Sequence, residues 1–177
     1  MNQYMVITTT GPDRVGIVDR ITEILLEYDA NVEESRMARL GGEFASIILV
    51  SVPEKNTKEL TKGLENLKKI SLTISTKTTQ MTDAKRVEGY VPYEITVTGA
   101  DHEGIVHRVA HYLSENGINI ETLDTSVVHA PITGTPLFSM HGIVQAPAKI
   151  TLNELRKNFT LIGNEMGTDI ELKTMVK

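Results

Sequence analysis

Two eight-residue stretches hold the residue types from which a small-molecule site can be built. Gly11-Pro12-Asp13-Arg14-Val15-Gly16-Ile17-Val18 and Gly99-Ala100-Asp101-His102-Glu103-Gly104-Ile105-Val106 each join a β-branched run to a helical pattern. A helix N-terminus presents backbone N–H groups without intrahelical partners and a partial positive charge. A glycine there lets a ligand approach the backbone, so a carboxylate fits on the amides near Gly16 or Gly104. Asp13 or Asp101 in the same turn would hold an ammonium group, and together the two features suit the ends of a free α-amino acid. A purely structural reading stands beside this one. It makes Asp13 and Asp101 helix N-caps, Gly16 and Gly104 points of tight helix–sheet packing, and Asn31 and Asn119 turn residues, with Arg14 and Arg20 solvated.

The histidines suggest a second chemistry. His107 and His111 stand four apart on a helical pattern, with Glu103 one turn earlier. On a helical wheel these three lie opposite the apolar stripe of Val106, Val109 and Leu113, which reads as a solvated face. His102-Glu103…His107 is one residue too long for the zinc-protease pattern, and His129 and His141 lie on strands with no third ligand placed by sequence. Phosphate-loop, dinucleotide and nucleophile-elbow motifs are absent, so no cofactor and no metal are expected. A small metal-dependent enzyme, or an enzyme's regulatory subunit, is one alternative function; a ligand-free assembly module is another.

An internal repeat supplies the elements that position these residues. With Ile7 set over Ile95, an ungapped comparison to Glu33 over Glu121 gives 13 identities in 27 positions, at an offset of 88 residues. That period is a whole small domain rather than a solenoid unit. In the first copy, a strand ends at Gly11-Pro12. Ile17, Val18, Ile21, Ile24, Leu25 and Tyr28 then recur at helical spacing. A strand over 31–40, a Gly41-Gly42 turn, a strand over 44–52, a helix carrying Leu60, Leu64 and Leu67, and a strand over 71–79 follow. The second copy repeats the series with strands over 93–98, 119–129, 137–146 and 169–176, a helix over 105–113, and a helix whose start is fixed by the capping box Thr151-Leu152-Asn153-Glu154.

The order βαββαβ, twice, predicts an α+β chain of two ferredoxin-like domains, each an antiparallel sheet with both helices on one face. The expected bounds are 1–80 and 92–177, joined by a polar linker over 81–91. Phe44, Ile48 and Val50 on one face of a strand and Ala45, Ile47 and Leu49 on the other predict that the sheet's second face is also covered, by the sister domain or by another chain. The second copy's hairpin, His129 to Pro136, is about six residues longer than its counterpart.

Composition narrows the function class. With 40% hydrophobic and 23% charged residues the chain has enough apolar material for a core. A net charge of −5 and scattered Lys and Arg argue against direct nucleic-acid binding. The absence of cysteine excludes disulfides and thiolate chemistry. The N-terminus lacks a secretion signal and the longest apolar run is Ile47-Ile48-Leu49-Val50, so a cytoplasmic protein without membrane association is expected.

The opening turn T-G-P-D-R-V-G-I-V with Asn31 downstream resembles the start of an ACT domain, and the resemblance extends over both halves. Two free-standing copies, with Thr135-Pro136-Leu137-Phe138-Ser139-Met140 and Pro147 in the second, are similar to the glycine cleavage system transcriptional repressor family. Formyltetrahydrofolate deformylases carry a similar opening turn, but their catalytic domain has no room here. The resemblance implies a non-enzymatic, homodimeric regulator that binds a small amino acid between ACT units and acts on another protein, such as a transcription factor. Carried over by position, the ligand would touch Asp13, Gly16 and Ile17, or Asp101, Gly104 and Ile105, with Asn31 or Asn119 reaching across the interface.

Overall fold

The computed structural model describes residues 1–80 and 89–175. The chain divides into two units between residues 83 and 84. Most of the linker expected over 81–91 lies outside the described residues.

In the first unit, β1 (Asn2–Pro12) leads through the Asp13–Gly16 loop into α1 (Ile17–Glu27). Then come β2 (Asn31–Leu40), β3 (Glu43–Pro53), α2 (Thr57–Glu65) with a closing 3-10 turn over Asn66–Ile70, and β4 (Thr73–Thr79). The sheet order is β2-β3-β1-β4 with antiparallel pairing throughout. The second unit repeats it with β5 (Tyr90–Ala100), α3 (Ile105–Glu115), β6 (Asn119–His129), β7 (Pro136–Pro147), α4 (Leu152–Met166) and β8 (Thr168–Thr174), in the order β6-β7-β5-β8. Tyr90 and Val91, expected in the linker, already belong to β5.

Period-2 and period-3.6 patterns meet in each core. Met5, Ile7, Ile48, Val50 and Val52 alternate inward from the first sheet and bury against Ile17, Ile21, Ile24, Leu25, Leu60 and Leu64 of the two helices. Tyr93, Ile95, Val97, Met140 and Val144 do the same beneath Ile105, Val109, Leu113, Leu155, Phe159 and Ile162. Each buried large aliphatic side chain contributes roughly 1.5–3 kcal/mol. The outward residue Ile47 keeps 49% of its surface exposed in this chain, and the equivalent position in β7 is the exposed His141.

Helix α2 is shorter than the leucine spacing predicts, and Leu67 lies in the 3-10 turn. There Ser71 adopts a left-handed conformation (φ 63°), and the Leu72 amide bonds back to the Leu67 carbonyl at 3.3 Å. The tightened turn brings the chain into β4. Gly167 does the same at the end of α4 (φ 64°), where the capping box of Thr151 and Glu154 also forms as its spacing predicts. Both second strands carry a bulge, at Glu33 and at Glu121, which no local pattern announces.

Candidate ligand-binding loops

The two loops between first strand and first helix have the same backbone geometry. Pro12 and Ala100 end their strands beside Glu43 and Leu137. The next amides, of Asp13 and Asp101, donate to the Gly42 and Pro136 carbonyls at 2.9 Å. Gly16 (φ 91°) and Gly104 (φ 94°) then occupy the N-cap positions of α1 and α3 in the left-handed region. A Cβ on either glycine would meet nothing within 4 Å, so the glycine is required by backbone conformation rather than by close packing. Gly11 and Gly99 have the opposite reason. A Cβ there would come within 2.6 Å of the Ser71 carbonyl oxygen or 2.8 Å of the Thr168 side chain, where the next strand begins.

Neither aspartate caps its helix, because no side chain accepts from the first-turn amides of α1 or α3. The N-cap reading of Asp13 and Asp101 is therefore corrected: the chain turns into the helix only at the left-handed glycine, three residues later. The first-turn amides are left without a side-chain partner. The side chains of Ile17 and Ile105 point into the cores, so these two sites could offer a ligand backbone only.

The other half of the expected site lies far away in each unit. Asn31 pairs across from Ser51, whereas Pro12 pairs across from Glu43, eight residues along β3. At ~3.3 Å per residue this is about 26 Å. Asn119, opposite Gln145, is equally far along β7 from Ala100, opposite Leu137. Within one unit a single small ligand therefore cannot touch both the loop and the asparagine; the two halves meet only if a second unit supplies one of them. Asn31 instead donates to Glu33 (3.2 Å), the bulge residue, which also accepts from the buried Ser51 hydroxyl. The Ser51 and Asn31 hydrogen bonds hold the Glu33 carboxyl below the usual range. Glu121 in the second unit accepts from Gln145 at 3.0 Å.

The ACT domain family matches the chain twice, over residues 3–77 and 94–173. This chain is a tandem ACT-domain protein. A solved structure of a Galdieria sulphuraria protein, described only as unknown, superposes with a TM-score of 0.88 at 37% identity, covering 99% of this chain and all of that one. A second solved structure, named for a glycine cleavage system transcriptional repressor, covers 100% of this chain and 99% of its own at a TM-score of 0.71; at 21% identity it shows the fold alone. The Escherichia coli glycine cleavage system transcriptional repressor is 50% identical over 48 residues, 27% of this chain. That stretch spans 25% of the repressor's length.

The charges around the two ACT loops differ. Asp13 faces Arg39 of β2 at 3.8 Å. The repeat puts Val127 in the place of Arg39, and Asp101 has no ion-pair partner among the described residues. Arg14, expected to be solvated, donates to the Ile70 carbonyl at 2.5 Å. Arg20 pairs with Glu23 on the exposed face of α1. His102 occupies the position of Arg14. Its Nδ1 lies 2.9 Å from the Glu103 carbonyl oxygen and its Nε2 2.8 Å from that of Met166. These two carbonyls raise its pKa.

Three of the other histidines are engaged locally, and His129 is exposed at the end of β6. His107 and His111 stack at 5.8 Å, His111 pairs with Glu115 at 3.3 Å, and His141 pairs with Glu94 at 2.7 Å. No three His, Asp or Glu side chains gather in metal-binding geometry among the described residues. No helix among them is long and apolar enough to cross a membrane.

Proposed function

We propose that this ACT protein is an amino-acid-sensing regulator rather than an enzyme. A small free amino acid binds where the Asp13–Gly16 or Asp101–Gly104 loop of one ACT unit meets the Asn31 or Asn119 end of another. The observation that carries this reading is the duplicated loop: a left-handed glycine, uncapped helix amides and an adjacent carboxylate, present in both units. The amides suit the ligand's carboxylate and the aspartate its ammonium. The ~26 Å separation of loop and asparagine within a unit supports a site shared between units, and hence assembly as a homodimer. Gly16 and Gly104 contribute backbone, while Ile17 and Ile105 brace the loop from the core.

The similarity to a named transcriptional repressor supports an output in gene regulation of glycine and one-carbon metabolism. The net charge of −5 supports action through another protein, such as a transcription factor, rather than on DNA or a membrane; that action would be cytoplasmic. The regulatory step requires a ligand that binds two packings of the ACT units with different affinity.

Thermal unfolding against a panel of free amino acids, glycine and serine first, tests the reading. A ligand specific for the folded state stabilises it by ~2.7 kcal/mol at a hundredfold excess over its dissociation constant. A selective rise in midpoint that disappears on Asp13→Ala or Asp101→Ala is expected. No rise with any amino acid would refute sensing and leave an assembly module.

A further inference from the structure

Arg14 and His102 follow the two loop aspartates, and each reaches a backbone carbonyl far along the chain. Arg14 donates to Ile70, the last residue of the turn that closes the second helix of its unit. His102 reaches Met166, the last residue of α4. In both units a cationic side chain thus ties the candidate ligand loop to the electronegative C-terminal end of the second helix. The chemistry of the two ties differs. A guanidinium is charged at every accessible pH. An imidazole changes charge near neutrality. A carbonyl oxygen can only accept, so a neutral His102 ring with one N–H satisfies one of its two carbonyls, and only the imidazolium satisfies both.

We propose that Arg14 and His102 are positioning residues that hold the two ligand loops, and that the hold in the second unit is released when His102 loses its proton while that in the first is not. The inference rests on reading the loops as ligand sites, and adds a proton-dependent regulation of one of them. Among the described residues the charged group that acts on His102 is Asp101 of its own loop, while Arg108 of α3 and Glu165 of α4 pair with each other at 2.8 Å. The carbonyls of Glu103 and then Met166, and to a lesser extent the Asp101 charge, favour the protonated ring. A raised folded-state pKa fixes the sign. The tie is fully present below the ordinary imidazole value of ~6.5 and is lost as pH rises through the higher value of the folded protein.

The test uses the full chain without ligand. Amide hydrogen exchange of residues 104–108 and 16–20, read at the amides of Arg108 and Arg20 that bond to the Gly104 and Gly16 carbonyls, is followed from pH ~5.5 to ~8.5, corrected for the intrinsic pH dependence, while the His102 ring is titrated by NMR. Protection over 104–108 should fall roughly three- to tenfold, the worth of one hydrogen bond, in step with the His102 titration, with 16–20 unchanged. His102→Arg should retain protection and abolish the pH dependence, and Arg14→His should transfer the dependence to residues 16–20. Protection over 104–108 that ignores the His102 titration, or is pH-dependent in His102→Arg, overturns the proposal. Glycine titrated against the same samples separates the two ideas. Proton-dependent protection without binding of glycine or any other amino acid in the panel leaves the tie standing and sinks the ligand reading.

Discussion

Thr9 of β1 and Ser46 of β3 are cross-strand partners on the helix-covered face, 0% and 7% exposed. Neither hydroxyl has a hydrogen-bond partner. The equivalent pair in the second unit is Val97 and Met140, both buried in the core. An unsatisfied buried hydroxyl costs about 1–3 kcal/mol, and a buried methyl in its place adds about 0.8 kcal/mol of transfer free energy. Thr9→Val changes little else in shape, so it should stabilise the first unit by roughly 1–2 kcal/mol. At a urea slope of about 1 kcal/mol/M for a unit of this size, the midpoint should move up by about 1 M or more. Because two units can unfold separately, the assay should resolve them, for example by amide exchange in β1 and β5 as urea is raised. Val97→Thr is the mirror experiment and should destabilise the second unit by a similar amount. If Thr9→Val destabilises the first unit, the hydroxyl has a partner in solution and the reasoning fails.

Ser71 holds a left-handed conformation that Gly167 supplies at the equivalent turn. Ser71→Gly should therefore stabilise the first unit by roughly 0.5–1 kcal/mol, a rise of about 2–8 °C in melting midpoint, and Gly167→Ser should lower the second unit by as much. Differential scanning calorimetry of both variants checks the sign, and an unchanged midpoint for Ser71→Gly would count against it. Glu33, with its carboxyl pKa lowered by Ser51 and Asn31, contributes stability that is present above the ordinary carboxylate range and lost as pH falls through its folded value. Wild type should exceed Glu33→Gln in neutral buffer, with the gap closing in acid; a gap that is constant from neutral pH down to pH ~3 would exclude the ionised form as the cause.

Much of this fold is legible because strong local signals coincide. Gly41-Gly42 and the β-branched run of β3 that follows mark the end of β2, and the Thr151–Glu154 box fixes the start of α4; both depend on neighbours a few residues away. The duplicated glycines could be seen, but not why each is required. Only the structure separates Gly16, needed for its φ, from Gly11, needed for closeness to Ser71. Asp13 and Asp101 suggest N-caps because Asp is a common N-cap residue, but the left-handed glycine three residues on moves the helix start beyond their reach. The Arg14 and His102 ties span 56 and 64 residues, which no periodicity encodes. One signal was available: aligning the copies puts the two cations at one position.

The copies agree where the backbone demands it and differ where only charge is at stake. Gly11 and Gly99 cannot accept a Cβ, and Gly16 and Gly104 need a conformation that other residues resist, so neither pair tolerates substitution. The carboxylates face no such demand. Asp13 shares its surroundings with Arg39, an exposed pair at 3.8 Å that a ligand ammonium would have to displace; such pairs contribute about 0–1 kcal/mol. Asp101, with Val127 in the corresponding place, has no such ion pair to displace among the described residues. An amino acid using both loops should therefore occupy the second unit first, with an affinity advantage of up to about fivefold. That same loop is the one tied by a titratable ring, so the stronger site is also the one that protons would regulate.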